Sequence, residues 1–306
     1  MDLAFTVFTP TYNRAGTLPA VYASLKAQTF RSFEWILVDD GSTDDTPQVI
    51  RGFLEDADFP IRHLTQKNSG KHVAQNRAVE QAAGELFLPL DSDDTMTSDA
   101  LEILWDQWQE IQNRPDREKF SGIGVHCQDQ NGNRVGDPWP ESPMISNDLE
   151  MHFRYRIQGE KWGPIATSVM RQYRNEEVTG HFLTESTMWY RIAKQYQKVY
   201  IDRCLRIYEV HEDSVSRQAR TKGDDRNFES FRLATCVFIN EFWPWYAKYE
   251  PKMALRLPLA LAKRSAENHR PILLGRDSVL AAVKPLPAKL LVLLASPYGL
   301  VCRLRK

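Results

Sequence analysis

Apolar positions in the first third of the chain fall into short runs that alternate with amphipathic stretches. Leu3 to Phe8 is a β-rich run that stops at the turn-forming Thr9-Pro10. Leu18, Val21, Tyr22 and Leu25 then recur at i, i+3, i+4 and i+7, the spacing of an amphipathic helix, with Thr17 placed to cap it. Trp35 to Val38 predicts a second strand that ends at Asp39-Asp40-Gly41. Thr46 followed by Pro47 predicts a helix start, with Val49, Ile50, Phe53 and Leu54 as the buried face. Ile61 to Leu64 reads as a third strand, Lys71 to Ala83 as a third helix, and Glu85 to Leu90 as a fourth strand broken by Asp91-Ser92-Asp93-Asp94. Thr97 or Ser98 is placed to cap a fourth helix carrying Leu101, Leu104, Trp105, Trp108 and Ile111.

Strand–helix alternation of this kind predicts right-handed βαβ units and a mostly parallel sheet, the α/β class. Ligands bind such sheets at the carboxyl ends of the strands. Three of the four strands end there in polar loops, Thr9 to Arg14, Asp39 to Asp44 and Asp91 to Asp94. Further along, Asn131-Gly132-Asn133 predicts a hairpin turn and Pro138 to Pro143 a loop. A helix is expected over Glu185 to Gln195, with strands over Val199 to Ile201 and Leu205 to His211. Residues 224–306 read as helical, interrupted at Pro244, Pro251, Pro258, Pro271, Pro285 and Pro287.

Across 306 residues, 39 Lys and Arg stand against 40 Asp and Glu, so no global charge draws the chain to nucleic acid. Cys127, Cys204, Cys236 and Cys302 lie far apart, without a C-x-x-C pair, which points to reduced thiols rather than a zinc or dithiol site. Met1-Asp2-Leu3 runs directly into a strand without a basic and apolar leader, so a cytoplasmic location is expected. The near-zero net charge conceals an asymmetry. Acidic clusters sit at strand ends, while Ala288 to Ala295 and Pro297 to Cys302 form an apolar tail flanked by Lys284, Lys289, Arg303, Arg305 and Lys306. That tail is too short and broken to span a bilayer, and residues 284–306 suit an interfacial helix at an anionic inner leaflet. Packing on the body of the protein or in a homodimer interface is the alternative.

Several signatures are excluded by the residues themselves. Cys127 stands where a dinucleotide fingerprint beginning at Gly122 needs its third glycine, and Ser69-Gly70-Lys71-His72 lacks the residues of a P-loop. What remains is carboxylate chemistry. Asp91, Asp93 and Asp94 crowd three acids into four positions, where they repel one another unless a cation offsets them. Oxygen donors of this kind suit Mg2+ or Mn2+, although a solvated turn ahead of a helix cap would look the same. The Asp39 to Asp44 segment is either a βα turn or a place where Asp40 accepts hydrogen bonds from a base or ribose. Tyr12 either packs or stacks on a nucleobase.

Phe8-Thr-Pro-Thr-Tyr-Asn-Arg14, Val38-Asp-Asp-Gly-Ser-Thr-Asp44 and Leu90-Asp-Ser-Asp-Asp94, at these intervals, resemble the nucleotide-binding domain of family 2 glycosyltransferases. The resemblance runs over roughly residues 1–217. It implies a GT-A fold, a Rossmann-like mostly parallel sheet flanked by helices, and an inverting, metal-dependent transfer from a nucleotide-sugar donor, with uridine the usual base. It also implies a catalytic domain over 1–220, with a nucleotide-binding half to 127 and an acceptor-side half beyond, and a helical extension over 221–306. Asn68 to His72 with Asn76-Arg77 resembles the segment passing near the nucleotide. Thr184-Glu185-Ser186-Thr187-Met188-Trp189-Tyr190-Arg191 resembles the helix that carries the catalytic base, with Glu185 at the position of the usual Asp and Thr184 at that of the preceding Glu. Tyr208 to Arg217 resembles the end of the catalytic domain, with His211 a candidate ligand of the metal or diphosphate.

The site implied is therefore Glu185 as base, with Pro10, Tyr12, Arg14, Asp39, Asp40, Lys71, Asn76, Asp91 and Ser92 around the donor. Asp91, Asp93, Asp94 and His211 hold Mn2+ or Mg2+, and Lys71, Arg77, His211 and Arg217 offset phosphate charge. The acceptor expected is a saccharide or a lipid-linked saccharide of a bacterial surface polymer or glycolipid. Two other readings compete. A metal-dependent nucleotidyltransferase would need a glycine in the Thr9 to Arg14 loop, which has none, and a non-catalytic sugar-nucleotide-binding scaffold has no need to keep Asp91, Asp93 and Glu185 together.

Overall fold

The computed structural model describes residues 3–177, 184–208, 228–273, 275 and 277–304. The chain divides into two compact units, Met1–Gly180 with Met188–Ser214, and His181–Thr187 with Val215–Lys306.

The first unit is built on one sheet. Strands β1 (Phe5–Thr11), β2 (Phe33–Asp39), β3 (Ile61–Thr65) and β4 (Leu86–Pro89) run parallel in the order β3-β2-β1-β4. β1 and β2 are buried almost throughout, which is why they read as continuous apolar runs rather than alternating ones. Helices α1 (Leu18–Lys26), α2 (Thr46–Asp56) and α3 (Lys71–Gln81) make the crossovers. The face predicted for α1 is buried, and its Tyr22 ring stacks on Phe53 of α2 with centroids 4.4 Å apart. Leu54, expected on the buried side of α2, is 45% exposed, because the face that packs is Thr46, Ile50 and Phe53.

After β4 comes a two-residue strand, β5 (Thr95–Met96), which the sequence reading missed. Helix α4 (Ala100–Gln112) follows, with Asp99 at its N-cap rather than Thr97 or Ser98. The Thr97 N–H bonds the Leu205 carbonyl at 3.0 Å, so this residue belongs to the β5–β11 pairing and the helix begins beyond it. The long β6 (Phe120–Asp129) turns through Gly132 into β7 (Arg134–Val135), the predicted hairpin. The short β8 (Met144–Ser146), β9 (Lys161–Trp162) and β10 (Ile165–Ala166) and helix α5 (Thr167–Met170) then extend the sheet, with β10 antiparallel between β4 and β6. Helix α6 (Ser186–Ala193) leads to β11 (Gln197–Tyr208), parallel to β6. As far as Tyr208 the two strands expected at 199–201 and 205–211 are thus one, and residues 209–211 lie outside the described residues. Register shifts between Tyr200, Cys204 and Arg206 absorb the polar Asp202-Arg203 without ending the ladder.

In the second unit, α7 (Phe228–Tyr249), α8 (Pro251–Glu267), α9 (Val279–Ala282) and α10 (Leu286–Leu304) share a core of Ile239, Leu261, Ala262, Val279, Val283, Ala288 and Val292. The interruption expected at Pro251 is the break between α7 and α8, where Pro251 begins the second helix. Pro244 and Pro258, however, lie inside α7 and α8 and do not interrupt them. A proline inside a helix costs about 3 kcal/mol, which burial of the flanking helix face offsets here. Among the described residues no helix is long and apolar enough to cross a membrane.

Candidate active site

Because β1 to β4 are parallel neighbours, their carboxyl ends lie along one edge of the sheet. Thr11 is in register with Asp39, and Asp39 with Thr65. The loops that follow are tied together by their own polar side chains. Asn13, at φ 53°, donates its N–H to Ser42 Oγ at 2.9 Å and accepts the Thr43 N–H at 2.8 Å. The Arg14 N–H donates to Thr46 Oγ1 at 2.8 Å, so the Thr46 hydroxyl is used to join two loops rather than to cap its helix. This leaves Tyr12 on the outside of the joined loops, 45% exposed. Pro10 is half-buried, in register with Val38.

The two acids ending β2 are buried and already engaged. Asp39 Oδ1 accepts the Ser42 N–H at 2.9 Å and the Ser42 hydroxyl at 2.6 Å. Asp40 Oδ1 accepts from Gln66 Nε2 at 2.8 Å and the Ser69 N–H at 2.7 Å, and Oδ2 accepts the Gly70 N–H at 2.8 Å. Asp40 therefore clamps the 66–70 loop to the end of β2. Gly41, at φ 83°, makes the turn possible, since a side chain there would press on the backbone of Gln66 and Asn68. The clamp presents Lys71 at the first position of α3.

Asp91, Ser92, Asp93 and Asp94 leave β4 beside it. Lys71 Nζ lies 2.6 Å from Asp91 Oδ1. On the other side stands Arg206 of β11, 8% exposed at its side chain. Its Nη2 donates to Asp91 Oδ2 at 3.0 Å, and its Nε donates to Asp94 Oδ2 at 2.7 Å, with a second contact from Nη2 to the same oxygen. Strand pairing explains the meeting. β5 follows directly on Asp94 and is antiparallel to β11 with Met96 opposite Arg206, so residues 112 apart in sequence are neighbours. Burial on its own would raise the Asp91 carboxyl, but the Lys71 and Arg206 charges outweigh it and hold it down at about 2. Burial also pushes the Asp94 carboxyl up, to about 6, against the pull of Arg206.

The carboxylates expected to hold a cation are thus used differently from one another. Asp94 is 1% exposed and turned onto Arg206. Asp91 is shared between two cations. Asp93 is half-buried, and among the described residues neither a hydrogen bond nor an ion pair engages it. Three acids against Lys71 and Arg206 leave one negative charge at this strand end, and among the described residues no group of three or more His, Cys, Asp or Glu side chains is placed to hold a metal ion.

Other expected residues are placed elsewhere. Asn76 is buried, and its amide holds the 175–177 segment, with Oδ1 accepting the Asn175 N–H and Nδ2 donating to the Asn175 carbonyl, both at 2.9 Å. Arg77 donates to the Thr65 carbonyl at 2.8 Å and so braces the end of β3. Ser92 is buried in the loop. Glu185 stands immediately before α6, in the segment grouped with the second unit. His211 and Arg217 lie outside the described residues. Arg206 was missed by sequence reasoning. Its signal was a charged residue inside the apolar strand run that begins at Leu205.

Comparison with known proteins agrees with this architecture. The sequence model described as glycosyl transferase family 2 matches residues 6–166. The chain is 34% identical over 256 residues to the putative teichuronic acid biosynthesis glycosyltransferase TuaG of Bacillus subtilis, covering 82% of this chain and 97% of that one. It is 29% identical over 226 residues to GalNAc(5)-diNAcBac-PP-undecaprenol beta-1,3-glucosyltransferase of Campylobacter jejuni, covering 69% of this chain and 66% of the relative. Of longer curated relatives it spans as little as 16%. S. aureus TarS 1–349, solved in complex with UDP-GlcNAc, superposes with a TM-score of 0.56 at 21% identity, over 96% of this chain and 79% of that one, and shares the GT-A arrangement of a central sheet flanked by helices. Sheet, strand-end loops and sequence agree: the chain belongs to glycosyl transferase family 2 and is a glycosyltransferase.

Proposed function

We propose that the chain transfers a sugar, with inversion, from a nucleoside-diphosphate donor, a UDP-sugar, to a hydroxyl of a saccharide or lipid-linked saccharide in bacterial surface polymer synthesis. The observation that carries this reading is the joining of the Tyr12, Asp40 and Asp91 loops at one sheet edge, with Lys71 paired to Asp91 there. The names of the relatives, a teichuronic acid glycosyltransferase and an undecaprenol-linked glucosyltransferase, support the class of acceptor.

Tyr12 stacks on the base, and Asp39 and Asp40 form the wall behind it through the loops they hold. Arg14 and Lys71 face the phosphates with positive charge. Asp93, with Asp91 beside it, would hold Mn2+ or Mg2+, which supplies positive charge where the departing diphosphate becomes negative. Glu185 takes the proton of the acceptor hydroxyl as that oxygen bonds to the anomeric carbon. The electron pair of the broken C–O bond leaves with the diphosphate.

Calorimetry with UDP-sugars tests the reading. Wild type should bind in the presence of Mn2+, Asp93→Ala should lose the dependence on the ion, and Glu185→Gln should bind donor normally while transfer falls by about 100-fold or more. Binding that ignores both the ion and Asp93, or turnover retained in Glu185→Gln, refutes it.

A further inference from the structure

Charge and exposed apolar surface are both concentrated at one end of this chain. Residues 251–306 carry eleven Lys and Arg against two Asp and Glu, whereas residues 1–250 carry 28 against 38. Among the described residues, eight of the eleven large hydrophobic side chains exposed to solvent lie between Met253 and Leu294. Isolated exposed leucines are ordinary, but a clustered set is not.

The cluster has helical order. At about 100° per residue, Leu286, Leu290, Leu293 and Leu294 fall on one side of α10, and Ala288 and Val292 on the other. The second side is fully buried in the core of the unit, while Leu286 is 69% and Leu294 75% exposed. The exposed stripe therefore owes nothing to the packing of its own unit. Lys284 precedes it and Lys289 flanks it. On α8 the outward Leu255 and Leu259, four residues apart, sit beside the exposed Lys252, Arg256 and Lys263, while Ala254, Leu261 and Ala262 are buried.

We propose that the Leu286–Leu294 stripe of α10 docks on the surface of an anionic phospholipid bilayer, with its leucines at the acyl boundary and Lys284 and Lys289 among the headgroups. Apolar residues beside basic ones are the composition of an interfacial helix, and the two signals together hold a protein where either alone is marginal. A second copy is the weaker occupant, because docking this surface on itself sets one cationic face against another. The inference uses neither donor nor metal, and it stands or falls apart from the transferase reading.

Flotation of the full chain tests it, with phosphatidylcholine vesicles and with vesicles in which phosphatidylglycerol replaces part of that lipid. Wild type should float with the anionic vesicles only, and less so as salt is raised. Lys284→Gln with Lys289→Gln should weaken partitioning by about 25-fold, close to five-fold per lysine. Leu290→Gln with Leu294→Gln should weaken it by about ten-fold or more, and because both side chains are already solvated the thermal melt should not move. Wild type that stays at the bottom with anionic vesicles overturns the proposal, as does a leucine variant that floats unchanged. A concentration-dependent dimer abolished by the leucine variant, without flotation of wild type, assigns the face to a second copy and overturns it as well.

Discussion

Arg206 is the residue whose removal separates the architecture described here from a simple acidic turn. Replacing it with methionine keeps most of the buried aliphatic stem and removes the guanidinium, with its bonds to Asp94 and Asp91. Asp94 is then an uncompensated carboxylate with a side chain 2% exposed. Removing one partner of a buried ion pair typically costs about 3–5 kcal/mol. The cost has a ceiling, since Asp94 already sits at about 6 with Arg206 beside it and takes up a proton when the cation is gone. Each further unit of upward shift at neutral pH adds about 1.4 kcal/mol, which places the expected loss near the lower end of that range, about 3 kcal/mol. Urea unfolding followed by tryptophan fluorescence at pH 7 measures it. Wild type, Arg206→Met, Asp94→Asn and the double variant together form a thermodynamic cycle. The double variant should recover about 2 kcal/mol of the loss, because a neutral amide no longer leaves a charge buried. An Arg206→Met protein within about 0.5 kcal/mol of wild type, or a cycle without coupling, would show that the contact contributes nothing and refute the reasoning.

Two other outcomes are expected. Asp40→Ala removes the acceptor for Gln66 Nε2 and for the Ser69 and Gly70 N–H groups, so stability should fall by about 2 kcal/mol and amide exchange at 69–70 should quicken, while unchanged protection would dismiss the clamp. His126 is buried and stacked on Trp139, 3.8 Å between centroids, and burial, reinforced by Arg134, pushes its imidazole down to about 4. The neighbouring Asp202 is neutralised by Arg134 at 2.7 Å, so the 3.3 Å approach of His126 to Asp202 is a contact of a neutral ring. The folded state binds fewer protons than the unfolded one between about 6.5 and 4, so stability is full above that window. It declines as pH falls through it, by at most about 1.4 kcal/mol per unit. His126→Gln should flatten that part of the profile, and identical slopes in the two proteins would reject the assignment.

The strands and helices that build the sheet edge were largely readable in order, because parallel strands buried on both faces and amphipathic crossovers carry strong local periods. Short or irregular elements were not. β5 has two residues and no pattern of its own, and β11 reads as two strands because its polar middle mimics a turn. Pro258 reads as a break, yet it lies inside α8 because helix packing outweighs its local cost.

The chain taken alone specifies the fold class, the family and the acids at the strand ends, since each of these is written in a contiguous run of residues such as Asp39 to Asp44 or Asp91 to Asp94. It also determined that positive charge and unbroken leucine runs gather in the last 56 residues. What those acids touch depends on how distant segments pack. Asp40 is spent on the 66–70 loop, Asp91 is divided between Lys71 and Arg206, and Asp94 is given to an arginine on the last strand. The outward turn of Leu286, Leu290 and Leu294 was decided in the same way, by the burial of Ala288 and Val292 on the opposite side of the helix. The physical reason is the range of the interactions. Periodicity and turn chemistry act between near neighbours in the chain, whereas the state of a buried carboxylate or the exposure of a helix face depends on whatever long-range pairing brings against it.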